Sequence, residues 1–290
     1  MTLSRPVFRF APSPNGELHL GHALSALDGY EQAKAVGGRF LLRIEDIDIG
    51  RMRPEFVAGI FADLRWLGLE WEEQVLFQSQ RMDAYRAAAA RLEALGLLYP
   101  CFATRSEIEA AVTDGASDPD GAPLYPGRWK GRAPVEIAEK RGAGESPALR
   151  IDMAAALKFA TEKLCGAPLT FVEMASDGAR QAVEAQPERW GDAVIVRKDV
   201  PTSYHLAVTV DDAWQGVTHV TRGRDLYAAT DLHRLLQVLL DLPEPIYRHH
   251  RLIMDETGRK LAKSAKDTSL RALRERGASA ADVRHLIGLA

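Results

Sequence analysis

The sequence predicts an α/β fold with a parallel sheet and an inserted α+β domain, and three observations support this. A strand, a loop, a helix and a second strand follow one another within residues 7–46. Helical patterns dense in Ala, Leu and Arg continue to about residue 95. Residues 98–191 then alternate short strands with loops rich in Gly, Pro and Asp. A strand–helix–strand unit implies parallel strands joined by a right-handed crossover.

The first strand and the first helix enclose a rigid loop. Residues 7–10, VFRF, read as a short buried strand that ends before Pro12 and Pro14, because proline fits neither a helix interior nor a strand ladder. Apolar residues recur at helical spacing from His19, and a glycine pair ends that helix before the buried strand at 39–46. The loop therefore lies at the carboxyl edge of the first strand, where open α/β folds bind ligands.

The later elements include some that are expected to return to the first sheet after the inserted segment. Proline in a first turn and an Ala-rich composition predict two helices before residue 98. Beyond residue 191, apolar runs predict strands, and an amphipathic run predicts a helix. In chain order these elements are helices at 54–67 and 81–95, strands at 193–198 and 204–212, a helix at 225–242 and a hairpin at 252–264.

Composition and charge exclude several classes of protein. No run approaches the roughly 20 apolar residues of a membrane helix, and the N-terminus lacks the apolar stretch of a secretory signal. Cys101 and Cys165 are isolated, which excludes a disulfide framework and agrees with a reducing compartment. We therefore expect a cytoplasmic protein with no membrane contact. The formal net charge of −3 leaves the partner open.

Two histidines at the start of the first helix form a candidate anion site. His19 and His22 are three residues apart, so both rings project from one face beside unpaired backbone N–H groups. Gly21 has no side chain, which would let a flat ring such as a purine lie against the backbone. Taken alone, the motif fits an ordinary interpretation as well as it fits an anion site: two surface histidines, or part of a metal site that lacks its third ligand.

A second cationic element favours a phosphate ligand. GRKLAKS, residues 258–264, carries Arg259, Lys260 and Lys263 on a glycine-containing turn. Expelling pyrophosphate from a triphosphate concentrates negative charge on the leaving oxygens, so a catalyst gains from cations on a separate, mobile element.

These motifs together resemble a known family. HLGH, preceded by RFAPSPNGEL and followed by RIEDID and much later by KLAKS, is similar to the HIGH and KMSKS signatures of class I aminoacyl-tRNA synthetases. The proline-rich loop and residues 208–226 resemble the glutamyl and glutaminyl branch. The resemblance spans about residues 5–265, with Ala262 where a serine is usual. It implies a Rossmann-like catalytic domain in two halves, 1–97 and 192–290, around an inserted acceptor-binding-like domain, 98–191.

The resemblance also implies the reaction and the residues that carry it. An amino-acid carboxylate attacks the α-phosphorus of ATP, used with Mg²⁺, and pyrophosphate leaves. The enzyme works by alignment and charge neutralisation, without a nucleophile of its own. The implied catalytic residues are His19, His22, Lys260 and Lys263, and the implied ATP contacts are Ser13, His19, Gly21, His22 and Lys263.

A glutamate pocket needs arginines for two carboxylates and an acid for the ammonium. The resemblance supplies Arg9, Ala11, Ser13, Glu45, Tyr204 and Arg222. Which arginine binds which carboxylate stays open, with Arg222 preferred for the side chain. Outside this context, Arg9 or Glu45 would read as a surface ion-pair member and Tyr204 as a packed strand residue.

The acceptor is inferred from the length of the chain. Only residues 265–290 follow Ser264, too few for an anticodon-reading domain. Members of the family that are similarly short activate glutamate without tRNA and transfer it to queuosine at the wobble position of tRNA(Asp). The expected partners are therefore L-glutamate, ATP and queuosine-containing tRNA(Asp), bound by a monomer. The alternatives are a discriminating glutamyl-tRNA synthetase core, a non-catalytic binding paralogue, and another nucleotidyltransferase.

The inserted segment departs from the family's zinc site. Cys101 and Tyr125 keep two ligand positions, but Ala103 and Trp129 replace the other two, and two ligands cannot close a structural zinc site. We expect no metal there, and packing of Phe102 with Tyr125 and Trp129 instead. The basic run at 128–132 is open to two interpretations, an RNA contact or a solvated loop. RHHR at 248–251 is expected to support the lysine loop or contact RNA.

Overall fold

The computed structural model describes residues 5–112, 115–254 and 269–289, and the strands in those ranges form two sheets. In chain order the strands are β1 Val7–Phe10, β2 Arg39–Ile44, β3 Leu76–Phe77, β4 Leu98–Cys101, β5 Ala148–Ile151, β6 Thr170–Met174, β7 Arg180–Glu184, β8 Val194–Val196, β9 His219–Gly223 and β10 Ile246–His250.

The larger sheet has the order β3-β2-β1-β9-β10-β6-β7. Each neighbouring pair is parallel except β6 with β7. The predicted α/β class with a mainly parallel sheet is thus confirmed. The register places Arg9 opposite Leu41 and His249 opposite Arg222. The strands β4, β5 and β8 form a smaller antiparallel sheet.

Helices pack against both sheets and bury their apolar side chains. In chain order they are α1 Leu20–Ala35, α2 Pro54–Trp66, α3 Met82–Ala94, α4 Arg105–Ala111, α5 Pro134–Gly142, α6 Met153–Lys163, α7 Tyr204–Trp214, α8 Ala229–Leu240, α9 Leu270–Glu275 and α10 Ala280–Leu286. The helices α2, α3 and α8 lie within the predicted ranges. Leu24 and Leu27 of α1 join Leu42 and Ile44 of β2 in one buried cluster. Across the described ranges, no helix is long and apolar enough to span a membrane.

Residues 204–212 form a helix, so their prediction as a strand was wrong. Alternating β-branched Val and Thr are typical of a strand. However, the Ser203 hydroxyl accepts the backbone N–H of Leu206 at 3.4 Å and caps the helix. Leu206 and Ala207 are fully buried, and α7 packs against α3 and α8. Tertiary packing therefore overrides the local preference.

The sheets connect the inserted segment closely to the rest of the chain. The predicted strand at 193–198 is β8, but it pairs with β5 in the smaller sheet and does not return to the larger one. The hairpin β6–β7 instead extends the larger sheet beside β10. The domain division at residues 98 and 191 stays a prediction. Most of the predicted hairpin at 252–264 lies outside the described residues.

Candidate active site

A cleft of about 490 Å³ opens at the carboxyl ends of β1, β2 and β9, where α1 begins. It brings together all the described residues that the sequence analysis assigned to the site, namely Arg9, Ala11, Ser13, His19, Gly21, His22, Glu45, Tyr204 and Arg222. Lys260 and Lys263 lie outside the described residues. The position of the proline-rich loop at this edge agrees with the prediction, whereas the roles of its residues stay predictions.

The two histidines cap the helix that they introduce. His19 Nδ1 accepts the backbone N–H of Gly21 at 3.1 Å, and His22 Nδ1 accepts that of His19 at 3.1 Å. Their ring centroids lie 3.9 Å apart. A neutral ring that accepts at Nδ1 carries its proton on Nε2, where it can donate to an anion. A Cβ on Gly21 would lie only 3.0 Å from His19 Cε1, so a larger residue would require the His19 ring to shift.

The described residues on either side of 255–268 adjoin the same cleft. Leu252 and Ile253 line it. Ser269 forms an antiparallel bridge with His19, and the backbone N–H of Leu270 donates to the carbonyl of Leu18 at 2.8 Å. The described residues that precede and follow the lysine signature in the chain therefore both lie next to the cleft or to the start of α1.

A buried ion network lies beneath the cleft. Arg9 donates through two nitrogens to the carboxylate of Asp212, at 3.0 and 3.2 Å. Arg43 is fully buried and donates to Asp212 at 2.6 Å and to Glu45 at 3.1 Å. Two cations and two carboxylates thus balance one another. Sequence analysis missed Asp212 and Arg43, although both lie within the motifs that it quoted.

Burial and ion pairing oppose each other in this network. Burial raises the pKa of Glu45, against the lowering effect of Arg43 and Arg9. For Asp212, burial also acts to raise the pKa, but Arg9 and Arg43 outweigh it and the pKa is lowered. The pKa of Arg43 is raised, because its contacts with the carboxylates outweigh burial. The Asp212 carboxylate therefore stays ionised at neutral pH.

Arg222 differs from Arg9 in its partners. Its Nε donates to His249 Nε2 at 3.1 Å, and its Nη2 donates to the Thr230 hydroxyl at 2.6 Å. Its Nη1 lies 3.2 Å from His233 Nδ1. The side chain is buried, yet no carboxylate in the described part of the chain forms an ion pair with it. Arg222 therefore brings a positive charge to the cleft that the surrounding neutral acceptors orient but do not cancel.

Tyr204 completes this end of the cleft. Its ring lies at the start of α7, with its centroid 5.5 Å from that of His233. Burial raises the pKa of the Tyr204 phenol, so the hydroxyl keeps its proton and can donate. Burial lowers the pKa of His233 well below its usual range and that of His205 to about 4, so both rings are neutral at neutral pH.

The residues of the RHHR motif have partners in the described part of the chain, while the expected support of the lysine loop or contact with RNA stays a prediction. Its His249 contacts Arg222 and Glu173. Arg248 pairs with Asp28 through two bonds, at 3.0 and 3.2 Å. No sequence signal pointed to these partners, because strand neighbours meet only once the sheet order is known.

The inserted segment packs aromatic side chains around the degenerate zinc motif. The rings of Phe102 and Trp129 lie 4.9 Å apart, and the backbone N–H of Trp129 donates to the Tyr125 hydroxyl at 2.7 Å. Among the residues described, no group of three or more His, Cys, Asp or Glu could hold a metal ion. In the basic run at 128–132, Lys130 pairs with Asp152 at 2.6 Å and Arg132 with Glu136 at 3.0 Å.

Comparisons with known proteins match nearly the whole chain. The model of the family "tRNA synthetases class I (E and Q), catalytic domain" matches residues 7–287. A glutamyl-Q tRNA(Asp) synthetase of Rhodobacter capsulatus is 48% identical over 293 residues, covering 98% of this chain and 100% of the relative. One from Symbiobacterium thermophilum is 39% identical, covering 93% of this chain and 82% of the relative.

Solved structures agree with this match. The glutamate-tRNA synthetase of Elizabethkingia anophelis superposes with a TM-score of 0.71 at 25% identity, covering 95% of this chain and 54% of that one. The glutamate tRNA ligase of Elizabethkingia meningosepticum, in complex with its amino acid, gives a TM-score of 0.71 at 26% identity, covering 91% and 53%. This chain thus spans about half the length of these two proteins.

Proposed function

The chain belongs to the family of class I tRNA synthetase catalytic domains (E and Q) and is an ATP-dependent aminoacyl ligase; from this premise we propose its substrates. In this proposal it activates L-glutamate with ATP in the absence of tRNA. It then transfers the glutamyl group to queuosine at the wobble position of tRNA(Asp).

One observation carries the choice of glutamate, namely the buried Arg222 with its neutral partners. A side-chain carboxylate would complete an ion pair with this guanidinium. The amide of glutamine would leave a buried cation uncompensated, which is costly. Arg222 therefore favours glutamate over glutamine. The charge of Arg9 is already balanced by Asp212. In this proposal Arg9 binds the α-carboxylate of the substrate, and Glu45 binds its ammonium group.

The activation step needs alignment and charge neutralisation. His19 and His22, at the N-terminus of α1, and Lys260 and Lys263 of the signature loop would bind the triphosphate, while Gly21 faces the adenine side. Mg²⁺ would arrive with ATP, since this ion is usually held through substrate phosphates. An oxygen of the α-carboxylate attacks the α-phosphorus, and pyrophosphate leaves with the electrons of the broken P–O bond.

The acceptor is taken from the relatives rather than from the cleft. The two relatives described above are both named glutamyl-Q tRNA(Asp) synthetase. A hydroxyl of the queuosine cyclopentenediol would attack the carbonyl carbon of the adenylate, and AMP would leave.

Transfer of radiolabelled glutamate tests both halves of the proposal. The acceptors compared are tRNA(Asp) with queuosine, tRNA(Asp) without it, and tRNA(Glu). We expect label only on the first, and glutamate-dependent ATP–pyrophosphate exchange without any tRNA. Equal labelling of both forms of tRNA(Asp), or labelling of tRNA(Glu), would remove the queuosine assignment. Absence of exchange with glutamate would remove the activation step.

A further inference from the structure

Arg222 is held in the cleft by neighbours whose protonation is dictated by geometry. A guanidinium only donates hydrogen bonds. His249 Nε2, 3.1 Å from Arg222 Nε, must therefore be unprotonated, and so must His233 Nδ1, 3.2 Å from Nη1. Each of these rings then carries its single proton on the other nitrogen.

For His249, the carboxylate of Glu173 accepts a hydrogen bond from that N–H. Its Nδ1 lies 2.8 Å from Glu173 Oε2, and Glu173 Oε1 accepts the backbone N–H of His249 at 3.1 Å. A carboxylate only accepts, so it selects the tautomer that is protonated at Nδ1. On the neighbouring strands β6, β10 and β9, Glu173 lies opposite Tyr247, and His249, two residues further along β10, lies opposite Arg222.

The surroundings of His249 leave it little freedom. The side chain is fully buried, stacked on Tyr247 with ring centroids 6.2 Å apart, and it meets the ring of Tyr227 edge-on at 4.9 Å. Burial, with help from Arg222, lowers the pKa of His249 to about 4 against the raising effect of Glu173. In the opposite tautomer, an Nε2–H would face the N–H of Arg222 and push the guanidinium away.

We propose that Glu173 and His249 are positioning residues for Arg222, because the carboxylate fixes the His249 tautomer that holds the guanidinium toward the cleft. This inference rests on the proposed function, in which Arg222 binds the side-chain carboxylate of glutamate. Glu173 lies one ring away from Arg222, so the pair aims the cation without neutralising it directly. The ligand's carboxylate then becomes its direct counter-ion, and selectivity for glutamate depends on a residue that never touches the substrate.

Nitrogen NMR of the whole chain with ¹⁵N-labelled histidine tests the tautomer directly. His249→Gln identifies the ring signals. We expect Nδ1 protonated and Nε2 unprotonated in the wild type. In Glu173→Gln the amide can donate to Nδ1, so the proton should shift toward Nε2. A wild-type ring protonated at Nε2, or an E173Q ring identical to the wild type, would overturn the inference.

Kinetics then separate positioning from a merely structural role. In glutamate-dependent pyrophosphate exchange, E173Q should raise KM for glutamate about tenfold or more, the scale of one charge-assisted hydrogen bond. Its kcat and its KM for ATP should change by less than about twofold. An unchanged KM for glutamate would overturn the proposal.

Glu244→Gln is the matched control. Glu244 also contacts β6, because it accepts the backbone N–H of Val172 at 3.1 Å. It forms an ion pair with Arg234 of α8, also at 3.1 Å. KM for glutamate, KM for ATP and kcat should all stay unchanged in E244Q. An equal rise in KM for glutamate in E173Q and E244Q would show a structural effect and refute the proposal. If E173Q does not fold, the tautomer of His249 in the wild type tests the inference by itself.

A wild type without glutamate-dependent exchange would remove the proposed function. The NMR measurement would still test whether Glu173 fixes the tautomer of His249.

Discussion

Asp212→Asn tests whether the buried ion network under the cleft holds the fold together. The Asp212 carboxylate accepts two bonds from Arg9, at 3.0 and 3.2 Å, and one from Arg43 at 2.6 Å. Asparagine has nearly the same size but no charge, so the buried guanidiniums of Arg9 and Arg43 would lose the carboxylate that they share. Removing one partner from a buried ion pair costs about 3–5 kcal/mol. We expect D212N to lose about that much free energy of unfolding at neutral pH.

Urea unfolding followed by circular dichroism measures this difference, and Asp241→Asn is its control. Asp241 also pairs with two cations, Lys163 at 2.7 Å and Arg91 at 3.6 Å, but its side chain is 66% exposed. Exposed ion pairs contribute little, so D241N should unfold like the wild type. If D212N were as stable as D241N, the network would not have the structural role assigned to it.

Three further predictions concern the pH dependence of the Asp212 contribution, the helix cap at Gly21 and the role of Lys263. Because the pKa of Asp212 is lowered in the folded state, its contribution should be complete above the ordinary aspartate pKa of about 4 and should vanish as the pH falls through the folded value. Unfolding at a series of pH values should thus show wild type and D212N converging in acid, and a constant gap would contradict this. Gly21→Ala would displace the His19 ring, which accepts the backbone N–H of Gly21, and should lower kcat of pyrophosphate exchange about tenfold. Circular dichroism should show that the fold is intact. An unchanged kcat would argue that the position of the His19 ring does not matter for the reaction. Lys263→Ala should lower the same kcat about 100-fold, and a loss under about tenfold would remove Lys263 from the transition state.

The sequence predicted the elements that depend on local signals. The prolines, the helical spacing from His19 and the glycine pair located β1, α1 and β2 correctly. The motifs in that unit then identified residues that converge on one cleft. These signals work because each depends on a few neighbouring residues whose backbone preferences agree.

Other features depend on contacts between distant segments, and the sequence did not reveal them. Alternating Val and Thr at 204–212 indicated a strand, yet burial against α3 and α8 makes this segment helical. Asp212 of α7 meets Arg9 of β1 and Arg43 of β2 only in the folded chain, since 203 and 169 residues separate them in sequence. Similarly, Glu173 and Arg222 share His249 because their strands lie on either side of β10.

Pyrophosphate exchange with glutamate and with glutamine, in the wild type and in Arg222→Gln, tests the central claim most directly. The wild type should prefer glutamate by about 100-fold or more, the scale expected when the wrong ligand leaves a buried charge unpaired. In R222Q, exchange with glutamate should fall sharply and the preference should nearly disappear. A wild type that uses glutamine equally well, or an R222Q variant that keeps the preference, would contradict the account.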